Sequence, residues 1–117
     1  MSIVAPCPNG GGRPNGQPSQ TGFDRAELTQ ILNLYGRMVA AGHWRDYAMD
    51  LERDFASFSA FRRTAERPEI RIEKRPALRM KQGMWALYGE AGQVLKRGHE
   101  LTGVLALVER RLIKIAD

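Results

Sequence analysis

Residues 70–98 read IRIEKRPALRMKQGMWALYGEAGQVLKRG, and the period of their apolar side chains decides the fold. Ile70 and Ile72 alternate with Arg71, Glu73 and Arg75, the period of two expected of a strand with one buried face. Pro68 precedes this strand and Pro76 stops it, because proline cannot donate to a strand ladder. Met84–Tyr88 and Gln93–Arg97 flank Gly89-Glu90-Ala91-Gly92, a short glycine-bearing loop suited to a hairpin. Met84, Ala86 and Tyr88 share one face and Trp85 and Leu87 the other, which predicts a central strand covered on both sides.

Upstream, Tyr47, Met49 and Leu51 alternate with Ala48, Asp50 and Glu52 in another half-buried strand. Arg53-Asp54 turns the chain, and Phe55–Arg63 reads as the next strand. Phe58 and Phe61, three apart, cannot share a face of a regular strand, so either a bulge intervenes or one of them faces outward. Helical periods bracket the strands. Asp24 and Glu27 have capping-box spacing, with Phe23 and Leu28 at the staple positions. Leu28, Ile31, Leu32, Tyr35, Met38 and Val39 then predict the buried face of a helix that Gly42 terminates. From about His99, Leu101, Val104, Leu105, Val108, Leu112 and Ile115 recur at helical spacing, with Glu100, Arg110, Arg111 and Lys114 away from them. The connections between strands are too short for parallel crossovers. The expected fold is therefore α+β, an antiparallel sheet of about five strands flanked by an N-terminal and a C-terminal helix.

A chain of 117 residues fits one domain. Its 43% hydrophobic and 26% charged content is ordinary globular usage, which excludes a wholly disordered or fibrous chain. Residues 1–22 hold Pro6, Pro8, Pro14, Pro18 and five glycines but no Leu, Phe, Tyr or Trp. They are expected to form a disordered tail ahead of a single domain at 23–117. The longest aliphatic run, Val104–Val108, falls far short of the roughly 20 residues of a membrane span. Ile3-Val4-Ala5 meets Pro6 with no preceding Lys or Arg, so no secretory signal is read. Cys7 is the only cysteine, which leaves no intrachain disulfide or cysteine metal knuckle and fits a reducing cytoplasm.

Catalytic patterns fail one by one. Ser57 and Ser59 lack a glycine-flanked elbow, and His43 and His99 each sit beside a turn, where an exposed or backbone-bonded histidine is the common outcome. Asp50, Glu52 and Asp54 start like a calcium loop, but Phe55 and Phe61 stand where that loop needs Gly and Glu. The tail glycines lack the strand and the Lys-Ser or Lys-Thr pair of a phosphate loop. No enzyme activity, metal or cofactor is expected.

Charge carries more content. The net charge is +5, and residues 62–81 alone hold 8 basic groups against Glu66, Glu69 and Glu73, again +5. The surplus is local. Arg71 and Arg75 project from the charged face of their strand, and Arg79 and Lys81 extend it through the following loop. With Arg63, Lys96 and Arg97 they form the candidate site for an anion or a partner. The expected partner is an acidic protein or nucleic acid, for which Phe61, Trp85 and Tyr88 would supply stacking surfaces. Three interleaved glutamates and the lack of a nucleic-acid motif weigh against the latter, and a solvated strand face accounts for the same charges. Phe61, Trp85 and Leu87 are candidate exposed apolar contacts. If both helices pack on one side of the sheet, the other would expose Trp85 and Leu87 and call for a second subunit, a homodimer included.

The runs YAMD at Tyr47–Asp50, FSAFRR at Phe58–Arg63, RIEKRP at Arg71–Pro76, KQGMWAL at Lys81–Leu87 and LKRGHEL at Leu95–Leu101 together resemble an alphaproteobacterial family of small proteins, domain of unknown function 2794. The resemblance spans roughly residues 44–112 and implies a bacterial, cytoplasmic setting, with no activity or site residues to carry over. The expectation is a non-catalytic small binding or regulatory module with a basic surface, the alternative being a domain that binds RNA or single-stranded DNA.

Overall fold

A computed structural model describes residues 20–63 and 67–116, with side chains as far as Arg110. The capping box forms as its spacing requires. Glu27 N–H donates to Asp24 Oδ1 and Asp24 N–H donates to Glu27 Oε1, each at 2.8 Å, and this starts helix α1 (Arg25–Ala40). Gly42, at a φ of +86°, turns the chain out of it in the left-handed region that glycine tolerates.

Five strands follow: β1 (Asp46–Leu51), β2 (Ala56–Phe61), β3 (Ile70–Lys74), β4 (Trp85–Tyr88) and β5 (Val94–Gly98). A single 3-10 turn, Pro76–Leu78, lies between β3 and β4, and helix α2 (Leu101–Ala116) closes the chain. Every pairing is antiparallel and the strands lie in sequence order, so the sheet is a five-stranded meander and the fold is α+β. The register aligns Met49, Phe58, Ile72 and Leu87 in one row and Asp50, Ser57, Glu73, Ala86 and Arg97 in the adjacent row. Adjacent residues of a strand point to opposite faces, so these rows lie on opposite sides of the sheet.

Both helices cover the first of those faces. Ile31, Leu34 and Met38 of α1 and Leu101, Val104, Leu105 and Val108 of α2 form one core with Phe58, Ile70, Ile72, Trp85 and Leu87. Polar contacts join the layers at their rims. Arg37 Nε donates to Glu109 between the helices at 2.9 Å, and Lys74 Nζ reaches Glu27 Oε1 at 2.6 Å and the Gly22 carbonyl at 2.9 Å. Tyr35 lies among the rings of Trp44, Tyr47 and Phe58. Burial, then the nearby Asp46 carboxylate and Tyr47, raise the pKa of its phenol above the ordinary value.

Several expectations are corrected. The central strand is β3, with β4 beside the edge. Both helices do share one side, yet it is the side of Trp85 and Leu87. These residues are 2% and 0% exposed, so neither is an exposed contact, and Phe23 stacks on the Trp85 ring at 6.2 Å. The α1 stripe is rotated from the predicted one. Leu34 is buried while Leu32 and Val39 are exposed, because α1 must meet α2 and the sheet together. β1 and β2 pair without a bulge, and Phe61 is the aromatic that faces away from the helices, opposite Asp46. The irregularity falls instead between Leu87 and Tyr88, where β4 pairs β5. Ordered contacts begin before residue 23, since Thr21 N–H donates to the Glu52 carbonyl at 2.7 Å and its hydroxyl to the Arg53 carbonyl at 2.8 Å. The expected disorder of residues 1–19 lies outside the described residues, as do the side chains of Leu112 and Ile115.

Candidate anion-binding face of the sheet

Strand alternation sends Arg71 and Glu73 to the face away from the helices. Arg75, still extended at φ −129° and ψ 92°, continues the series. No described helix lies over this face, yet Glu73 is only 4% exposed. Its own neighbours bury it. Arg75 Nη2 donates to Glu73 Oε2 at 3.3 Å, Arg71 Nη2 stands 3.5 Å from the same oxygen, and the Tyr88 hydroxyl donates to Oε1 at 3.0 Å. Phe55, just before β2, underlies both cations, with the Arg71 guanidinium 5.6 Å and that of Arg75 5.0 Å from its ring centre. Arg71 also lies 5.6 Å from the Tyr88 ring.

Arg97 extends the cluster across β5, donating through Nη2 to the Tyr88 hydroxyl at 3.4 Å. Between Glu73 and Arg97 in the row stands Ala86, fully buried, whose small side chain leaves the longer ones room to lie flat. Among the described residues, two buried side-chain polar atoms have no hydrogen-bond partner: Arg97 Nη1, and Oγ of Ser57, which is paired with Glu73 across the β2–β3 ladder.

A nearly buried carboxylate persists only when paired and hydrogen-bonded, and Arg71, Arg75 and Tyr88 meet that need. The reverse does not hold. Three guanidiniums face one carboxylate, a local balance of +2. The arginine contacts, at 3.3 and 3.5 Å, are longer than the roughly 2.7–2.9 Å of a tight charge-assisted bond. Arg71 and Arg75 keep 34% and 35% of their side-chain surface exposed, and each guanidinium has five donors. Both side chains are thus partly open to solvent and carry donors beyond those spent on Glu73. The same face changes sign towards β1, which contributes Asp50 to this row and Asp46 opposite Phe61. The basic region is confined to β3–β5, about 10 Å across at the usual strand spacing.

Of the residues selected from the sequence, Arg71, Arg75 and Arg97 converge here. Arg79 and Lys81 lie exposed in the turns after the 3-10 segment, outside the contacts of the cluster. Lys96 pairs with Leu87 on the helix side, its Cε beside Gly103. Arg63 is exposed beyond the end of β2, next to Arg62, which pairs with Glu90 at 3.8 Å. Glu69, expected to dilute the basic charge, instead accepts from the buried Trp44 indole at 3.1 Å. The sequence reading missed Glu73 as the centre and Phe55 as the shared support. The alternation Arg71-x-Glu73-x-Arg75 held the signal for the first, whereas the second depends on the β2–β3 register.

Among the described residues, no group of three or more His, Cys, Asp or Glu side chains stands together as a metal site. None of the described helices is long and apolar enough to cross a membrane. No curated protein and no solved structure matches the chain. A family model does match, and it covers residues 21–105, from the anchoring Thr21 through α1, the whole sheet and the first turn of α2. The matched region begins upstream of the runs that carry the resemblance, and the chain belongs to the family described as Protein of unknown function (DUF2794).

Proposed function

We propose that this protein is a non-catalytic binding module that holds an acidic protein segment on the open face of its sheet, through Arg71, Arg75 and Arg97. The observation that carries the reading is the excess of guanidinium over carboxylate around Glu73, on a face that neither helix covers. Arginine forks match carboxylates bidentately, and their stacking on Phe55 and Tyr88 holds them in place at little further entropic cost. The short basic width, bounded by Asp46 and Asp50, suits a compact acidic segment better than a long polyanion crossing the sheet.

Nucleic acid is the second reading, favoured by the aromatic rings interleaved with cations. Fluorescence anisotropy with labelled hexaglutamate and with an oligouridylate separates the two. The proposal expects salt-sensitive binding of the peptide, lost when Arg71, Arg75 and Arg97 are all replaced by Gln. Preference for the oligouridylate, with a log–log salt slope that flattens by about 0.7 per phosphate contact removed, would favour the second reading. Binding of neither probe would overturn both.

A further inference from the structure

Glu73 is the most buried charged group on the open face, and it sits where a ligand carboxylate would go. Among the described residues it is the only carboxylate paired with Arg71 or Arg75, and Arg97 has no ion pair there. Yet it uses the arginines poorly, at 3.5 and 3.3 Å, while its one well-formed hydrogen bond is to Tyr88 at 3.0 Å. Two like charges over the single Phe55 ring repel each other, and the carboxylate beneath them offsets that repulsion.

From this arrangement we infer that Glu73 is a specificity-determining internal counter-anion. It lowers the charge of the cluster so that it accepts one further carboxylate and discriminates against more densely charged polyanions. The inference rests on the open-face reading above, and it deepens that reading by assigning the selectivity to one residue. An incoming carboxylate takes the outward donors of both guanidiniums, while Glu73 stays on Tyr88. No proton or bond is exchanged.

Glu73→Gln tests this, because Gln retains the oxygen that accepts from Tyr88 and puts a neutral amide nitrogen in place of the charged Oε2, while Phe55 still supports both guanidiniums. A unit charge removed about 5–7 Å from the ligand site, at an effective dielectric between those of the protein surface and water, should tighten hexaglutamate binding on the order of tenfold. A single carboxylate such as acetate should gain less than hexaglutamate, so the ratio of the two affinities shifts towards the more highly charged probe. Should the variant fail to fold by circular dichroism, the wild type still decides. On addition of hexaglutamate, the Nε–Hε resonances of both Arg71 and Arg75 should shift, while the Tyr88 hydroxyl environment stays unchanged. Unchanged or weaker peptide binding in Glu73→Gln, with wild-type binding intact and lost in the triple arginine variant, would overturn the counter-anion role and leave the open-face reading standing. Peptide binding that leaves both Nε–Hε resonances unmoved would overturn the role as well. If the wild type binds no hexaglutamate, both fall together.

Discussion

Gly83, in the loop between β3 and β4, has a φ of +103°, and a Cβ there would lie 2.4 Å from the carbonyl carbon and oxygen of Gly98. Both the dihedral and the contact demand glycine, since the obstacle is backbone that cannot swing aside. Gly83→Ala should therefore cost about 2 kcal/mol or more, measured by denaturant unfolding, whereas an alanine at the exposed Gly36 of α1 should be neutral or stabilising. Tyr88 is the second such position. Removing its hydroxyl in Tyr88→Phe leaves the buried Glu73 Oε1 without its donor, at an expected cost of about 1–3 kcal/mol. Tyr35 offers a check by pH. Its raised pKa means that the folded state keeps the phenol proton where the unfolded chain has lost it, so its contribution is present below the ordinary phenol range and is lost as pH rises through the folded value. Ultraviolet titration against Tyr35→Phe should reveal one phenol ionising above the ordinary range.

At the scale of elements, α1 tests how the helices were placed. Periodicity alone selected Leu32 and Val39 together with Ile31 and Met38, and the structure replaces the first two by Leu34. Leu34→Ala should cost about 2–5 kcal/mol and Leu32→Ala well under 1 kcal/mol, and equal effects would mean that the helix is rotated. Helix α2 was legible in phase, because Leu101, Val104, Leu105 and Val108 leave no competing apolar stripe. For α1 the apolar residues spread over a wide arc, and only the tertiary contacts choose among them. The strands divide in the same way. The alternation of Ile70 and Ile72 fixes which side of β3 is buried. In β4 both sides are apolar, so the pattern could not say whether Trp85 and Leu87 or Met84 and Ala86 would meet the helices.

On the scale of the molecule, two helices against one face of a meander leave the other face to manage its own burial. The sequence announced a local surplus of charge, and three of its seven candidate cations, Arg71, Arg75 and Arg97, do converge. It could not show that Lys74 is spent on Glu27 at the start of α1, or that Glu69 is spent on Trp44, because those pairs join residues far apart in the chain. Nor could it place Phe55 beneath two arginines, which follows from the register of β2 on β3. What remains on the open face after these internal pairings is a compact basic cluster beside an acidic edge strand, and that arrangement underlies the proposed function. The most direct measurement is an amide NMR titration of the protein labelled with nitrogen-15, adding hexaglutamate at low and at physiological salt. The account predicts shifts confined to Phe55–Ser59, Arg71–Arg75, Ala86–Tyr88 and Arg97, diminished by salt and absent from the triple Gln variant. Shifts centred on α1 and α2, or none at all, would contradict it.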